Sequence, residues 1–242
     1  LFELATKNIT PAEKINDGVD YVPTNKFILT GHHFTSIAGT GPIVGPVLGV
    51  IWGWVPALLW VIFGSIFAGA VHDLGALVLS MRHEGKSIGD ITGSVINPRT
   101  RTLFFLIIFF CLLIVIAIFA ILMANLFVQY PQCVFPIWTE IFIAMGLSWY
   151  LYQKKGSLLV GSIVAIILMY LTIWLGLYLP LSLTNQTWLV IIMIYVFFAS
   201  TMPVQRLLQP RDYINALELG VAMVLLIVGI IIRPLPIVAP AV

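Results

Sequence analysis

Residues 31–46 read GHHFTSIAGTGPIVGP. The stretch is apolar enough to enter a membrane, yet it holds the residues a continuous membrane helix avoids. Pro42 and Pro46 lack an N–H and clash with the preceding turn, while Gly39, Gly41 and Gly45 leave the backbone unconstrained. The segment therefore predicts locally unwound main chain. Irregular backbone at membrane depth is tolerated only where protein buries it or where it lines a wet cavity, which makes the stretch a candidate site.

The composition around it is that of a polytopic membrane protein. Of 242 residues, 60% are hydrophobic and 9% charged, with a mean hydropathy of +1.06, whereas soluble domains carry about 25% charged residues. The apolar runs leave no room for a separate soluble domain, and a formal charge of +2 says little by itself. Cys111 and Cys133 form neither a CxxC pair nor a metal spacing, so no redox chemistry, metal or cofactor is expected. The chain shows no nucleophile motif, phosphate loop or nucleic-acid patch, so neither an enzyme nor a nucleic-acid partner is expected. It starts at Leu1 without a signal-peptide pattern and reads as part of a longer protein.

Residues 1–30 form a polar lead-in, with a capping box at Thr10-Pro11-Ala12-Glu13 and a turn at Asn16-Asp17-Gly18. Seven apolar stretches follow, at 34–54, 56–81, 102–129, 135–152, 157–179, 188–205 and 213–232, and then a tail at 234–242. Most approach the roughly 20 residues a spanning helix needs. Lys7, Lys14 and Lys26 precede the first; Arg82, Lys86, Arg99 and Arg101 follow the second; Lys154 and Lys155 follow the fourth; Arg206 and Arg211 follow the sixth. These alternate loops hold eleven of the twelve Lys and Arg residues. The positive-inside rule then places the lead-in in the cytoplasm and the tail outside. Trp52, Trp54, Tyr130, Trp138, Trp174, Tyr178 and Trp188 fall at predicted outer ends, and Trp149, Tyr150, Tyr152 and Tyr213 at inner ends, as interfacial belts.

The sixth stretch gives way to Ala199-Ser200-Thr201-Met202-Pro203, a second predicted break with hydroxyls at hand. The two breaks lie on helices of opposite orientation, five segments apart, as in an inverted repeat of five helices. Half-helix N-termini would face an anionic substrate group, and free carbonyls would take a cation or water. The bland reading is that Gly and Pro merely allow close packing.

Among the acids, Glu140 and Glu218 lie near predicted helix ends and are expected to reach the headgroups. Asp73 lies about 12 Å from its inner end at 1.5 Å per residue, so it should be protonated, paired or hydrated, as a proton-coupling carboxylate or a structural partner. His32 and His33 stand at the mouth of the broken stretch, as proton carriers or interfacial anchors.

Three phrases occur together: NDGVDYVPTNKFILTGHHFTSIAGTGPIVGPVLG from Asn16, AGAVHDLGALVLSMRHEGKSIGDI from Ala68, and QPRDYINALELG from Gln209. They resemble the carbon starvation protein A family of bacterial inner-membrane transporters. The family's motifs map onto Gly31, His32, His33, Gly39, Gly41, Pro42, Gly45 and Pro46, and onto Asp73, Pro210, Arg211, Asp212 and Tyr213. The resemblance implies proton-coupled uptake of peptides or pyruvate and an all-α, five-plus-five inverted-repeat (LeuT-like) bundle with broken first and sixth helices. It also implies a protein longer than this chain.

The expected function is thus a secondary transporter working by alternating access in the bacterial inner membrane. Its substrate residues are Gly39, Thr40, Gly41, Pro42, Gly45, Pro46, Ser200, Thr201 and Pro203, with the substrate carboxylate on amides near Gly39–Gly41 and on the Ser200 and Thr201 hydroxyls. His32, His33 and Asp73 handle coupling or gating. Its partners are the substrate, the proton and the lipid bilayer, and a homo-oligomer is compatible with this. The alternative from another class is a nontransporting scaffold or sensor subunit, and an enzyme built on His72 and Asp73 comes a distant third.

Overall fold

A computed structural model describes residues 9–242, with the backbone alone at Thr40. Residues 1–8, which include Lys7 of the expected lead-in, lie outside the described residues. Among the described residues every regular element is a helix. The first, α1 (Pro11–Ile15), starts where the capping box predicts: the Thr10 N–H donates to the Glu13 carboxylate at 3.1 Å. The chain leaves it through Asn16 at φ 40°. The Asp17 carboxylate then accepts the N–H groups of Tyr21, Val19 and Asp20, which hold its carboxyl below the usual range.

The remaining helices follow as α2 (Lys26–Ile37), α3 (Thr40–Gly49), α4 (Trp54–Phe63), α5 (Val71–Arg82), α6 (Ile88–Val95), α7 (Pro98–Gln129), α8 (Val134–Ser148), α9 (Leu158–Gly176), α10 (Asn185–Ser200) and α11 (Leu208–Ile232). A π-helical turn over Gly64–Ala70 joins α4 to α5, and another over Trp149–Gln153 ends α8. Six stretches are long and apolar enough to cross a membrane: Lys26–Trp52, Trp54–Arg82, Pro98–Gln129, Pro131–Gln153, Leu158–Gly176 and Leu208–Ile232. Asn185–Thr201 is a shorter apolar helix. Most of the large apolar side chains on α7 are exposed, including Ile107, Phe110 and Ile114. A helix that is apolar all round belongs in lipid or among other helices, not in water.

The chain forms two compact units. One comprises the described residues up to Pro23, Thr40–Ile116 and Ile237–Val242. Within it Ser87 caps α6, and its hydroxyl together with Arg101, at 2.6 Å, holds the Asp90 carboxyl low. The first free N–H groups of α4, on Trp54 and Val55, donate to the carbonyls of Pro240 and Ala241.

The other unit comprises Thr24–Gly39 and Ala117–Pro236. Its main core joins Ile28 of α2, Ala144 and Leu147 of α8, Ala165 and Met169 of α9, and Tyr213 and Ile214 of α11. A second cluster packs Ala120, Ala124 and Phe127 of α7 on Val134 and on Trp188 and Ile192 of α10. Trp188 is 3% exposed and meets Phe127 edge to face, so it is a core residue and not the belt residue its position suggested. Small residues let these helices approach closely. The tightest case is Gly31, where a Cβ would lie 2.8 Å from the Tyr213 ring and 3.1 Å from its Cα.

That contact predicts a measurable cost. Gly31→Ala should destabilise the detergent-solubilised protein by about 1–3 kcal/mol through overpacking. Gly220→Ala on α11, where a Cβ would meet nothing within 4 Å, should be neutral or stabilising by up to about 1 kcal/mol. Equal melting temperatures for wild type and Gly31→Ala would show that α2 does not seat here.

Candidate functional site

The polar centre of the second unit is built on the first turns of α11, the QPRDY stretch. Helical geometry sends three consecutive side chains to three different neighbours. Asp212 turns to α2, where the His32 Nδ1–H donates to its carboxylate at 2.6 Å; the two side chains are 27% and 18% exposed. The Thr35 hydroxyl, one turn along α2 from His32, donates to the Asp212 carbonyl at 2.7 Å. Tyr213 turns to α9, and its hydroxyl meets that of Ser162 at 2.8 Å in a buried position. Arg211 turns to α8 and α10.

Arg211 approaches the Glu140 carboxylate at 3.5 Å through Nε and donates from Nη1 to the Tyr195 hydroxyl at 3.2 Å. Tyr195 is held edge to face on Trp138. The Glu140 side chain is 6% exposed, against 30% for Arg211. Residues 211, 215 and 218 lie on one face of α11 at helical spacing, so Asn215 and Glu218 continue the row. Together with Glu140 these two line a cleft of about 380 Å³, with Gln132, Cys133 and Met169 among its other walls. The buried Oε1 atoms of Glu140 and Glu218 and the Nε of Arg211 make no hydrogen bond. The expectation that Glu140 simply reaches the headgroups is thereby corrected: it is a buried ion-pair partner, inaccessible to headgroups from inside this packing.

The broken stretch is interrupted at one place. α2 stops at Ile37, Ala38 has ψ 42°, and α3 begins at Thr40 after Gly39. The prolines lie beyond the interruption. Pro42 stands in the first turn of α3, where an N–H would have no helical partner anyway, whereas Pro46 lies inside α3 and leaves the Pro42 carbonyl without its helical donor. A Cβ at Gly39, Gly41 or Gly45 would meet nothing within 4 Å.

At the second expected break, α10 ends at Ser200 and a run of turns leads to α11 at Leu208. The Ser200 and Thr201 hydroxyls donate to the carbonyls of Phe197 and Phe198, and Pro203 lies in the following turns. Those hydroxyls therefore present lone pairs rather than protons to a ligand. Gly39, Ser200, Thr201 and Pro203 belong to one unit and Thr40, Gly41, Pro42, Gly45 and Pro46 to the other. His33 is exposed on α2. Asp73, on α5, accepts from the His72 ring at 3.2 Å, although neighbours on a helix rarely meet; the side chains are 38% and 81% exposed.

Arg211 and Asp212 entered the sequence reading only as motif positions of the resemblance, and Glu140 as a headgroup residue, so the pairing of Glu140 with Arg211 and of Asp212 with His32 was missed. The spacing of Arg211, Asn215 and Glu218 was available in the sequence. Their partners on α2, α8 and α10 were not, because those contacts are long-range.

Comparison with known proteins follows the same stretches. The model of the family described as carbon starvation protein CstA matches residues 1–242. The chain is 36% identical to the peptide transporter CstA of Campylobacter jejuni over 97% of its own length and 35% of the relative's. It is 35% identical to the peptide transporter CstA of Bacillus subtilis, over 93% of this chain and 39% of that protein. It is 32% identical to the pyruvate/proton symporter BtsT of Escherichia coli, over 97% of this chain and 34% of that protein. The chain thus spans little more than a third of the length of these relatives. No solved structure matches it. With the family's model matched from end to end and relatives more than 30% identical, this multi-pass membrane chain belongs to the carbon starvation protein CstA family.

Proposed function

We propose that the protein to which this chain belongs imports a small carboxylate such as pyruvate, or peptides, across the bacterial inner membrane in symport with protons. The observation that carries this reading is the interruption of the first membrane helix at Ala38–Gly39. An interrupted helix exposes backbone N–H groups at the N-terminus of its second half, and the helix dipole adds positive potential there. In α3 those donors are the amides of Thr40 and Gly41, next to glycines that leave room for close approach. A substrate carboxylate fits such donors. The names of the relatives, peptide transporter and pyruvate/proton symporter, support the same substrate classes.

In this reading the lead-in is cytoplasmic, and the first and sixth segments are the paired breaks of a LeuT-like inverted repeat. The lone pairs of Ser200 and Thr201 serve the cationic or N–H side of a substrate. Asp73 and the histidines His32 and His33 handle protons. The activity is transport, with no catalytic residue assigned.

Uptake of labelled pyruvate and of a labelled dipeptide into proteoliposomes carrying the full-length protein tests this, with and without an inwardly directed proton gradient. One of the two should accumulate only with the gradient. Gly41→Leu should reduce that uptake to background while the protein still inserts and folds, because nothing in the described structure lies within 4 Å of the new Cβ. Wild-type uptake by Gly41→Leu would remove the break from the substrate path. Asp73→Asn should slow or uncouple uptake, and an unchanged pH profile would take Asp73 out of the proton path.

A further inference from the structure

Within the second unit we infer that Arg211 is a further station for the substrate carboxylate, apart from the α3 amides, and that Glu140 governs its availability by taking up a proton there. The inference rests on the proposed uptake of a carboxylate. Its geometric basis is a loose ion pair between unequal partners. Nε of Arg211 and Oε1 of Glu140 stand 3.5 Å apart, and neither atom makes a hydrogen bond. A guanidinium normally grips a carboxylate through two parallel N–H bonds at shorter range. Here one donor nitrogen, Nη1, is given to Tyr195, so the fork is not closed on Glu140. Arg211 also keeps 30% of its side chain accessible, where Glu140 keeps 6%. The arginine is thus the more open of the two and is not among the walls of the cleft that Glu140 lines, so a second carboxylate would approach it from outside that cleft.

Charge bookkeeping turns that geometry into coupling. With Glu140 ionised, the pair is neutral, and an arriving substrate anion would add an uncompensated negative charge in a poorly hydrated place. If Glu140 takes a proton on Oε1, its attraction for Arg211 vanishes and the guanidinium is free to bind the substrate. The centre is again neutral: one arginine cation, one substrate anion and one neutral acid. At this station one substrate is therefore bound together with one proton, and neither is bound stably alone.

Of the acids around Arg211, Glu140 is the one paired with it. From α11 it faces Arg211, Asn215 and Glu218, with Asp212 beyond; Asp212 is committed to His32. From α10 the facing group is Tyr195, bonded to Arg211. The cleft wall carries Cys133 ahead of α8, and α9 supplies only Met169 and Ile173 there, with Leu177 just past its end. Glu218 shares the cleft with Glu140 and lies two helical turns along α11 from Arg211, so it can hold a proton without contacting the receptor.

The test is equilibrium binding of pyruvate and of a dipeptide to the purified full-length protein from about pH 5 to pH 8. Above the titration of Glu140, wild-type affinity should rise about tenfold for each unit of falling pH, the signature of one proton taken up per substrate. Glu140→Gln should bind with high affinity that no longer varies with pH. Arg211→Gln should lose about 100-fold or more at every pH, and Glu218→Gln should keep the wild-type slope. If Glu140→Gln keeps the slope, or Arg211→Gln keeps the affinity, the inference is overturned. A slope lost in Glu218→Gln but kept in Glu140→Gln moves the proton to Glu218 and overturns it equally. Should Glu140→Gln not fold, Glu140→Asp replaces it: a slope displaced along the pH axis supports the assignment and an undisplaced one opposes it. Folded wild type that binds neither carboxylate at any pH sinks the uptake reading itself and this inference with it, an outcome distinct from the variant results.

Discussion

The close seating of α2 on α11 at Gly31 is the constraint from which the second unit follows. A Cβ there would overlap the Tyr213 ring and press on its backbone. Because the position is glycine, the helices come near enough for His32 to reach Asp212 and for Thr35 to reach the Asp212 carbonyl. A longer separation would leave a carboxylate and an imidazole facing apolar neighbours, where an unsatisfied charged group costs several kcal/mol. Packing and polar pairing therefore depend on each other. Neither the glycine nor the His32–Asp212 hydrogen bond would make sense alone.

The same logic explains why α11 begins with so polar a run. Arg211, Asp212 and Tyr213 would each be costly beside lipid, yet each is turned toward a different helix that supplies its complement. Every pair fixes one rotation and one translation of α11 relative to a neighbour, and a slip by one residue would leave all of them unmatched. Such pairs contribute less to stability than their Coulomb attraction suggests, because both charges lose hydration. Their consequence is register. Among apolar helices that could slide along each other at little cost, polar contacts select one arrangement.

How much of this was legible in the sequence depends on the range of the interaction. The capping box at Thr10–Glu13 and the membrane character of the chain are local or compositional properties, and both appear as expected. The interruption near Gly39 was readable as a region because proline and glycine act on their own backbone. Its position was not: the prolines are tolerated inside α3, and the helix gives way at Ala38–Gly39 just before them. Glu140 was misjudged because nearness to a segment end looks the same whether a side chain faces headgroups or a neighbouring arginine. Trp188 was misjudged for the same reason, since an aromatic near a helix end can serve a belt or a core. In each case the missing information was a partner distant in sequence.

The location of the interruption gains meaning from this seating. α2 is fixed at Gly31, His32 and Thr35, all within two turns of its end at Ile37. The chain then crosses from one compact unit to the other between Gly39 and Thr40. A continuous helix at that point would keep its backbone groups bonded along its own length, in a medium that cannot replace those bonds. An interruption has already given those bonds up. The two residues that look least helical, Ala38 and Gly39, are thus followed by amides at the start of α3 that the helical ladder does not use. That defect is held in place on the α2 side by the polar turn of α11, through Gly31, His32 and Thr35.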